Sequence, residues 1–196
     1  MLNFEQNIKE NQQYQTNIGA ARQRLGLEES NLANATDVLH RIRELTVQAL
    51  NDTNTQTNRQ QIAMEVDELN KQLLSIANTK NANGEYLFSG YASDRPAFTD
   101  TPDYAYQGDA NQRQIAIGPN RLVTDGDPGE AVFGAIQLAP LSAGSIDNVL
   151  QAVAQLSSDL KSNTPNKLSL DDLDRALVRF DNVRASAGAR LNALDD

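Results

Sequence analysis

The opening fifty residues admit few folds. From Asn3 to Leu50 there is no proline and there are only two glycines, Gly19 and Gly26. Apolar residues recur at Phe4, Ile8, Ile18, Ala21, Leu25, Leu32, Ala35, Leu39, Ile42, Leu45 and Ala49. The later steps are mostly three or four, or seven where a polar residue intervenes. That spacing sets an apolar stripe along one face of a helix, close to an a/d heptad seam. At 1.5 Å per residue such a helix is about 70 Å long. A rod of that length cannot bury its own stripe, so it needs partner helices.

The partners follow in the sequence. Asn51-Asp52-Thr53-Asn54 offers side-chain hydrogen bonds that compete with the helix and favour a turn. A second helix is expected from roughly Thr57 to Thr79, because Ile62, Val66, Leu69, Leu73 and Ile76 step by four, three, four and three. The short connection makes the two helices antiparallel neighbours. Helical spacing returns near Ser145, read as an N-cap, with a stripe of Ile146, Leu150, Val153, Leu156 and Leu160. Ser162-Asn163-Thr164-Pro165-Asn166 interrupts it. Ser169-Leu170-Asp171-Asp172 then reads as a capping box with Asp in place of Glu. The last helix carries Leu173, Leu177, Phe180, Ala187, Leu191 and Leu194. These seams run close to both termini, so the sequence is expected to be a piece of a chain whose helices continue in both directions.

Between the helical stretches the pattern changes. Asn83-Gly84 is a strong turn signal, and Glu85 to Gly90 reads as a short strand. From Tyr91 to about Ala143 lie five of the six prolines. Gln112 to Gly118 alternates as a half-buried strand does, and Arg121–Thr124 and Glu130–Phe133 read as further strands. The expected fold class is mainly α with a β insert: an elongated antiparallel helical bundle carrying a small antiparallel β domain. Its division is 1–90 and 144–196 for the helical rod with an exit hairpin, and 91–143 for the insert.

Composition excludes several functions. Lys and Arg number 17 against 26 Asp and Glu, for a net charge of −9. Without a basic run this argues against nucleic acid and against anionic lipid, and no apolar run approaches the length needed to span a bilayer. There are no cysteines, which removes disulfides, thiol catalysis and thiolate metal sites. The single histidine, His40, reads as a helix-surface residue and cannot build a multi-histidine metal site. Asn and Gln make 36 of 196 residues and aromatics only 5%. The core is therefore expected to be Leu, Ile, Val and Ala, with amides on the outer helix faces.

Candidate chemistry is sparse. Asp125, Asp127 and Glu130 lack the spacing of a calcium loop, since Pro128-Gly129 falls where ligands should continue, so they read as a turn. Asp171, Asp172 and Asp174 read as exposed carboxylates at a helix start. No phosphate cradle or nucleophile elbow is present. No cofactor, metal or catalytic residue is assigned. The most distinctive stretch is His40 to Ala49. Ile42, Leu45 and Ala49 face a partner helix there, and Arg41, Arg43, Glu44 and Gln48 form a polar rim. Ordinary amphipathic helix and subunit interface account for it equally. The candidate interface residues are Arg41, Arg43, Glu44, Leu45 and Gln48.

Arg41 to Ala49 resembles the first-helix motif of the flagellin-type axial proteins. Ser75-Ile76-Ala77-Asn78-Thr79, followed by Asn83 to Gly90, resembles the end of their second helix and its exit hairpin. Tyr106-Gln107-Gly108-Asp109, Gln112-Arg113, Ile115 to Gly118, and Ala187 to Asn192 are similar to the hook-filament junction branch of that family. The resemblance implies a non-enzymatic structural role in an extracellular organelle. It implies a hook-side junction protein and flagellin as partners, self-association in a helical array when full length, and export without a cleavable signal. It also implies an export chaperone that binds terminal regions this sequence lacks.

Overall fold

The computed structural model describes residues 2–134 and 146–195, with side chains from Phe4 onward. Its frame is α1 (Leu2–Ala49), α2 (Gln56–Ala77), α4 (Val149–Lys161) and α5 (Leu168–Ala193). The strands β1 (Gln114–Gly118) and β2 (Arg121–Thr124) and the short helix α3 (Gly129–Phe133) lie between α2 and α4. α1 packs between α2 and α5, and α4 closes the bundle between them. Cross-helix pairs give the directions. Arg41–Glu65 joins α1 to α2, Arg43–Asp174 and Arg184–Glu29 join α1 to α5, and Lys161–Asp67 joins α4 to α2. With Asn31–Thr79 beside the first pair and Asn70–Leu150 beside the last, one partner's number rises as the other's falls, so these neighbours are antiparallel.

The stripe of α1 is buried from Ala21 through Leu25, Leu32, Ala35, Leu39, Ile42, Leu45 and Ala49, and it meets Ile62, Val66 and Leu73 of α2. Phe4 and Ile8 lie beyond the partners and stay exposed. Thr55 caps α2, its hydroxyl accepting from the Asn58 amide at 3.2 Å. The turn before it is organised by Arg59, which is 8% exposed. Its guanidinium donates to the carbonyls of Ala49 (3.1 Å) and Asn51 (3.2 Å) and to Asn163 Oδ1 (2.7 Å). One cation thus satisfies the end of α1 and ties it to the α4–α5 turn.

The first departures from expectation are in the core and the caps. Phe88, Phe98, Phe133 and Phe180 are among the largest fully buried side chains. Phe133 meets Phe88 and Phe180 edge to face, each at 5.3 Å, so large rings do fill the widest part of the interior. Ser145 lies outside the described residues. Asn148 caps α4 instead, Oδ1 accepting from the Gln151 amide at 3.0 Å. α5 begins at Leu168, before the expected box, and Asn166 Oδ1 accepts the Leu168 amide at 3.0 Å.

The region after α2 is less sheet-like than its composition suggests. β1 and β2 form one antiparallel hairpin, pairing Gln114 with Thr124 and Ile115 with Val123. Glu85 to Gly90 is not a strand. Only a single bridge joins Lys80 and Tyr86, and Leu87, Phe88, Ser89 and Gly90 are all buried. Four buried residues in a row depart from the alternation of a half-buried strand, and the backbone turns at Gly90, which takes φ +66°. Glu130 to Phe133 is helical and not a strand, with Val132 and Phe133 adjacent and both fully buried. Pro128 stands at the N-cap of that helix, and the Gly129 amide donates to the Phe88 carbonyl at 2.6 Å.

Candidate functional site

The 40–49 segment occupies the last three turns of α1. Leu45 is 2% exposed and belongs to the bundle core with Ile42 and Ala49, so within this chain it supports the segment from beneath and offers no surface. Arg41, Glu44 and Gln48 share an exposed face, as spacing of three and seven requires. Arg41 Nη2 lies 2.6 Å from Glu65 Oε1, and Nη1 lies 3.2 Å from Glu44 Oε2. The hydrogen bond to Glu65, then that to Glu44, raises the Arg41 guanidinium above its ordinary range. Arg43 points elsewhere, toward α5, where Nε reaches Asp174 Oδ1 at 2.5 Å. Val47 is 51% exposed beside the arginine face. His40 is exposed.

The aspartates expected at the helix start divide. Asp171 is exposed and Asp174 holds Arg43, but Asp172 is buried. Burial raises its carboxyl, against the opposing charge of Arg175. A carboxyl so placed faces the bundle and not a solvated cap.

A second cluster gathers where the hairpin meets the rod. It joins Arg24 and Glu28 of α1, Glu85 of the exit segment, Arg113 before β1, Asp125 and Asp127 after β2, and Arg190 of α5. Arg24 donates to the Leu87 carbonyl at 2.8 Å and lies 3.8 Å from Glu85. Arg113 reaches Asp125 at 3.2 Å and Glu85 at 3.6 Å. Arg190 pairs with Asp127, and Asp127 also accepts from Gln112 Nε2 at 2.9 Å. Glu28 is fully buried, and its Oε2 accepts from the Asp127 amide at 3.3 Å. Burial first, then the charge of Asp127, pushes the Glu28 carboxyl up to about 8. An open groove of about 620 Å³ runs beside the cluster, lined by Arg24, Lys80, Glu85, Arg113 and Asp125.

Sequence reasoning takes Asp125 and Asp127 for turn residues and passes over Arg24 and Glu28. A signal exists, however. The stripe steps seven from Leu25 to Leu32, and Glu28 is the polar residue at the skipped inward position. Among the described residues no group of three or more His, Cys, Asp or Glu is placed to hold a metal ion, and no helix is long and apolar enough to cross a membrane.

The Leu87–Gly90 turn has its own lock. Ser89 Oγ donates to the Arg95 carbonyl at 2.8 Å. The Asp109 carboxylate accepts from the Tyr91 amide at 3.1 Å and from the Asn111 amide at 2.9 Å. Tyr106 Oη donates to the Asp109 carbonyl at 2.8 Å, and burial pushes its phenol up to about 12, so it remains a donor.

Residues 2–93 match the bacterial flagellin N-terminal helical region. Flagellar hook-associated protein 3 of Escherichia coli is 29% identical over 95% of this chain, which spans 63% of that relative's length. A hook-associated protein-3 structure from Legionella pneumophila superposes with a TM-score of 0.88 at 23% identity, covering 100% of this chain and 93% of that one. The Bacillus cereus FlgL structure superposes at 0.78 with 26% identity over 99% and 90%. The rod of four helices, the locked exit turn and the side-mounted hairpin therefore make up a fold like that of the solved hook-associated protein-3 structure, and over nearly all its length the chain is similar to flagellar hook-associated protein 3.

Proposed function

We propose that this chain is the body of a structural adaptor of the bacterial flagellum, joining a hook-side junction protein to the flagellin filament, outside the cell and without catalysis. The observation that carries this is the alignment with the E. coli hook-associated protein along 95% of the chain, insert included. The architecture suits the role. A rigid bundle can repeat heterologous contacts around a tube, while the hairpin region sits to one side of it. The candidate contact face is Arg41, Glu44 and Gln48, with Arg43 at its edge and Leu45 beneath. Arg is favoured at such surfaces because its planar fork holds carboxylates bidentately. Export through the flagellar secretion system without a cleavable signal, and a chaperone acting on terminal regions outside this chain, belong to the same proposal.

Deletion of the gene tests it. Cells that keep hooks, lose attached filaments and shed flagellin into the medium support the junction role. Cells that keep normal filaments overturn it. A second reading, flagellin itself, is favoured by the helical-region match at residues 2–93. It requires the full-length protein to polymerise alone into long filaments, which electron microscopy of purified protein would reveal.

A further inference from the structure

The ionic cluster at the foot of the hairpin contains an imbalance that charge counting exposes. Arg24, Arg113 and Arg190 supply three positive charges. Glu85, Asp125 and Asp127 supply three negative ones. Glu28 is a fourth carboxyl at the centre, with no solvent exposure. Its Oε1 has no hydrogen-bond partner, and its contacts are to Asp127, whose amide donates to Oε2 and whose carboxyl also faces it. Among the described residues no guanidinium lies within ion-pair distance of it, although the charges of Arg190 and Arg24 act on it from further off. The nearest α5 cation, Arg190, is already held by Asp127, and Arg184 of the same helix is held by Glu29 at 2.8 Å. A buried carboxylate without a cation is among the costliest arrangements in a protein. A protonated carboxyl at the same place makes the seven-group cluster neutral.

The backbone leaves little room for relief. Gly126 passes so close to α1 that an added Cβ would stand 3.0 Å from Arg24 Nε and 3.6 Å from Glu28 Oε2. Water therefore has no easy path to Glu28 while segment 125–127 is seated. The same segment is tied to the far helix, because Arg190 Nη1 reaches toward the Thr124 carbonyl at 3.4 Å. The hairpin is seated on α1 and α5 by a small apolar cluster, Ile117 with Ala21, Leu25, Ala187 and Leu194, and by side-chain hydrogen bonds such as Asn17 Nδ2 on the Ala116 carbonyl at 2.7 Å and Arg121 on the Ala193 carbonyl at 3.2 Å; the 125–127 segment beside it is held by the ionic cluster. Ionising Glu28 in place sets it against the Asp127 carboxylate, and lifting the 125–127 segment hydrates both.

We propose that Glu28 is a proton-loaded latch: the hairpin and its return segment, residues 113–127, sit closed on α1 and α5 while Glu28 carries a proton and loosen when it loses it. The sign follows from linkage. A carboxyl whose pKa is higher in the closed state binds more protons there than in the open state. Closure is therefore strongest below the open-state value and weakens as pH rises through the closed-state one. That window runs from the ordinary 4.5 to about 8. Within it each pH unit shifts the closed-to-open ratio by up to tenfold. Proton uptake is the whole event and needs no other reactant. The latch is independent of which flagellar role the chain fills.

Hydrogen exchange followed by mass spectrometry on the 196-residue chain tests it, with rates corrected for intrinsic exchange at pH 6 and pH 9. Protection of peptides spanning 113–127 is expected to fall at least tenfold between the two, relative to peptides of α2 and α4. Glu28→Gln, which keeps the shape and removes the ionisation, is expected to hold that protection constant across the range. Unchanged wild-type protection, or a variant that keeps the wild-type pH dependence, overturns the proposal. Carbon-13 NMR titration of the wild-type Glu28 carboxyl provides a readout needing no variant. A midpoint well above 4.5 supports the latch, and one at or below 4.5 overturns it.

Discussion

Two single residues show how much of this fold is held by backbone chemistry. Gly90 has φ +66°, and a Cβ there would stand 2.4 Å from Asp109 Oδ1 and 2.6 Å from the Asp109 carbonyl oxygen. Gly90→Ala meets both a left-handed backbone and a clash, so it is expected to cost about 2–4 kcal/mol. Urea denaturation would read this as a lower midpoint, and an unchanged midpoint would mean the turn relaxes freely. Arg59 is the second. Its three hydrogen bonds close the end of α1 and reach Asn163. Arg59→Met keeps the aliphatic stem and orphans those acceptors, with an expected loss of about 2–3 kcal/mol by the same measurement. The sequence marks Gly90 as the end of the Asn83 to Gly90 stretch that resembles a flagellin-type exit hairpin, although Glu85 to Gly90 reads there as a strand. Arg59 has no such marking, because its acceptors come from three segments that only the bundle brings together. Glu28 lies between these cases: its inward position is legible as a gap in the stripe, whereas the missing cation is visible only once α5 and the hairpin are in place.

At the level of elements, the long helices were readable because period and punctuation agree. Ile62, Val66, Leu73 and Ile76 are buried as their spacing requires, and Asn51 to Asn54 does break the chain. Failures occur where burial is continuous. Leu87–Gly90 buries four residues in a row and Val132-Phe133 closes a helix of only five residues, and neither matches the alternation read for a half-buried strand. The amides were misplaced for a related reason. Their number suggests solvated faces, yet several staple loops to helices. Asn78 donates to the Phe98 carbonyl and accepts its amide, both at 2.9 Å. Asn148 caps α4 and donates to the Tyr104 carbonyl at 2.8 Å. Asn148→Ala is therefore expected to lose the cap, worth about 1 kcal/mol, and also a buried tie to the insert region. A thermal melt several degrees lower is expected. Asn148→Asp, which keeps the cap acceptor alone, should recover only part of that loss. Full recovery would mean that the Tyr104 contact contributes nothing.

For the whole molecule, one helix obeys two sources of stability. α1 is continuous over 48 residues, but its surroundings change along its length. From Ala21 onward its stripe is packed, first against β1 and α5 and then, from Leu32, between α2 and α5, and every expected core position is buried. From Phe4 to Gln13 every side chain is exposed, Phe4 by 74%. The supports there are local, such as Gln6 to Glu10 at 3.3 Å and Gln13 to Asn17 at 2.9 Å. Pairs of this kind contribute a few tenths of a kcal/mol each, and an unpacked helix of a dozen residues is marginal in water. Amides near residues 5–13 are therefore expected to exchange within about tenfold of unstructured rates, whereas those of 32–45 are slowed by roughly a thousandfold or more. Repeating the measurement at rising protein concentration separates two causes of any extra protection. Protection that is high and independent of concentration would show that propensity alone holds the overhang, contrary to this account. Protection that climbs with concentration would show a second copy covering Phe4 and Ile8, the behaviour required of a rod that serves as one member of a helical array.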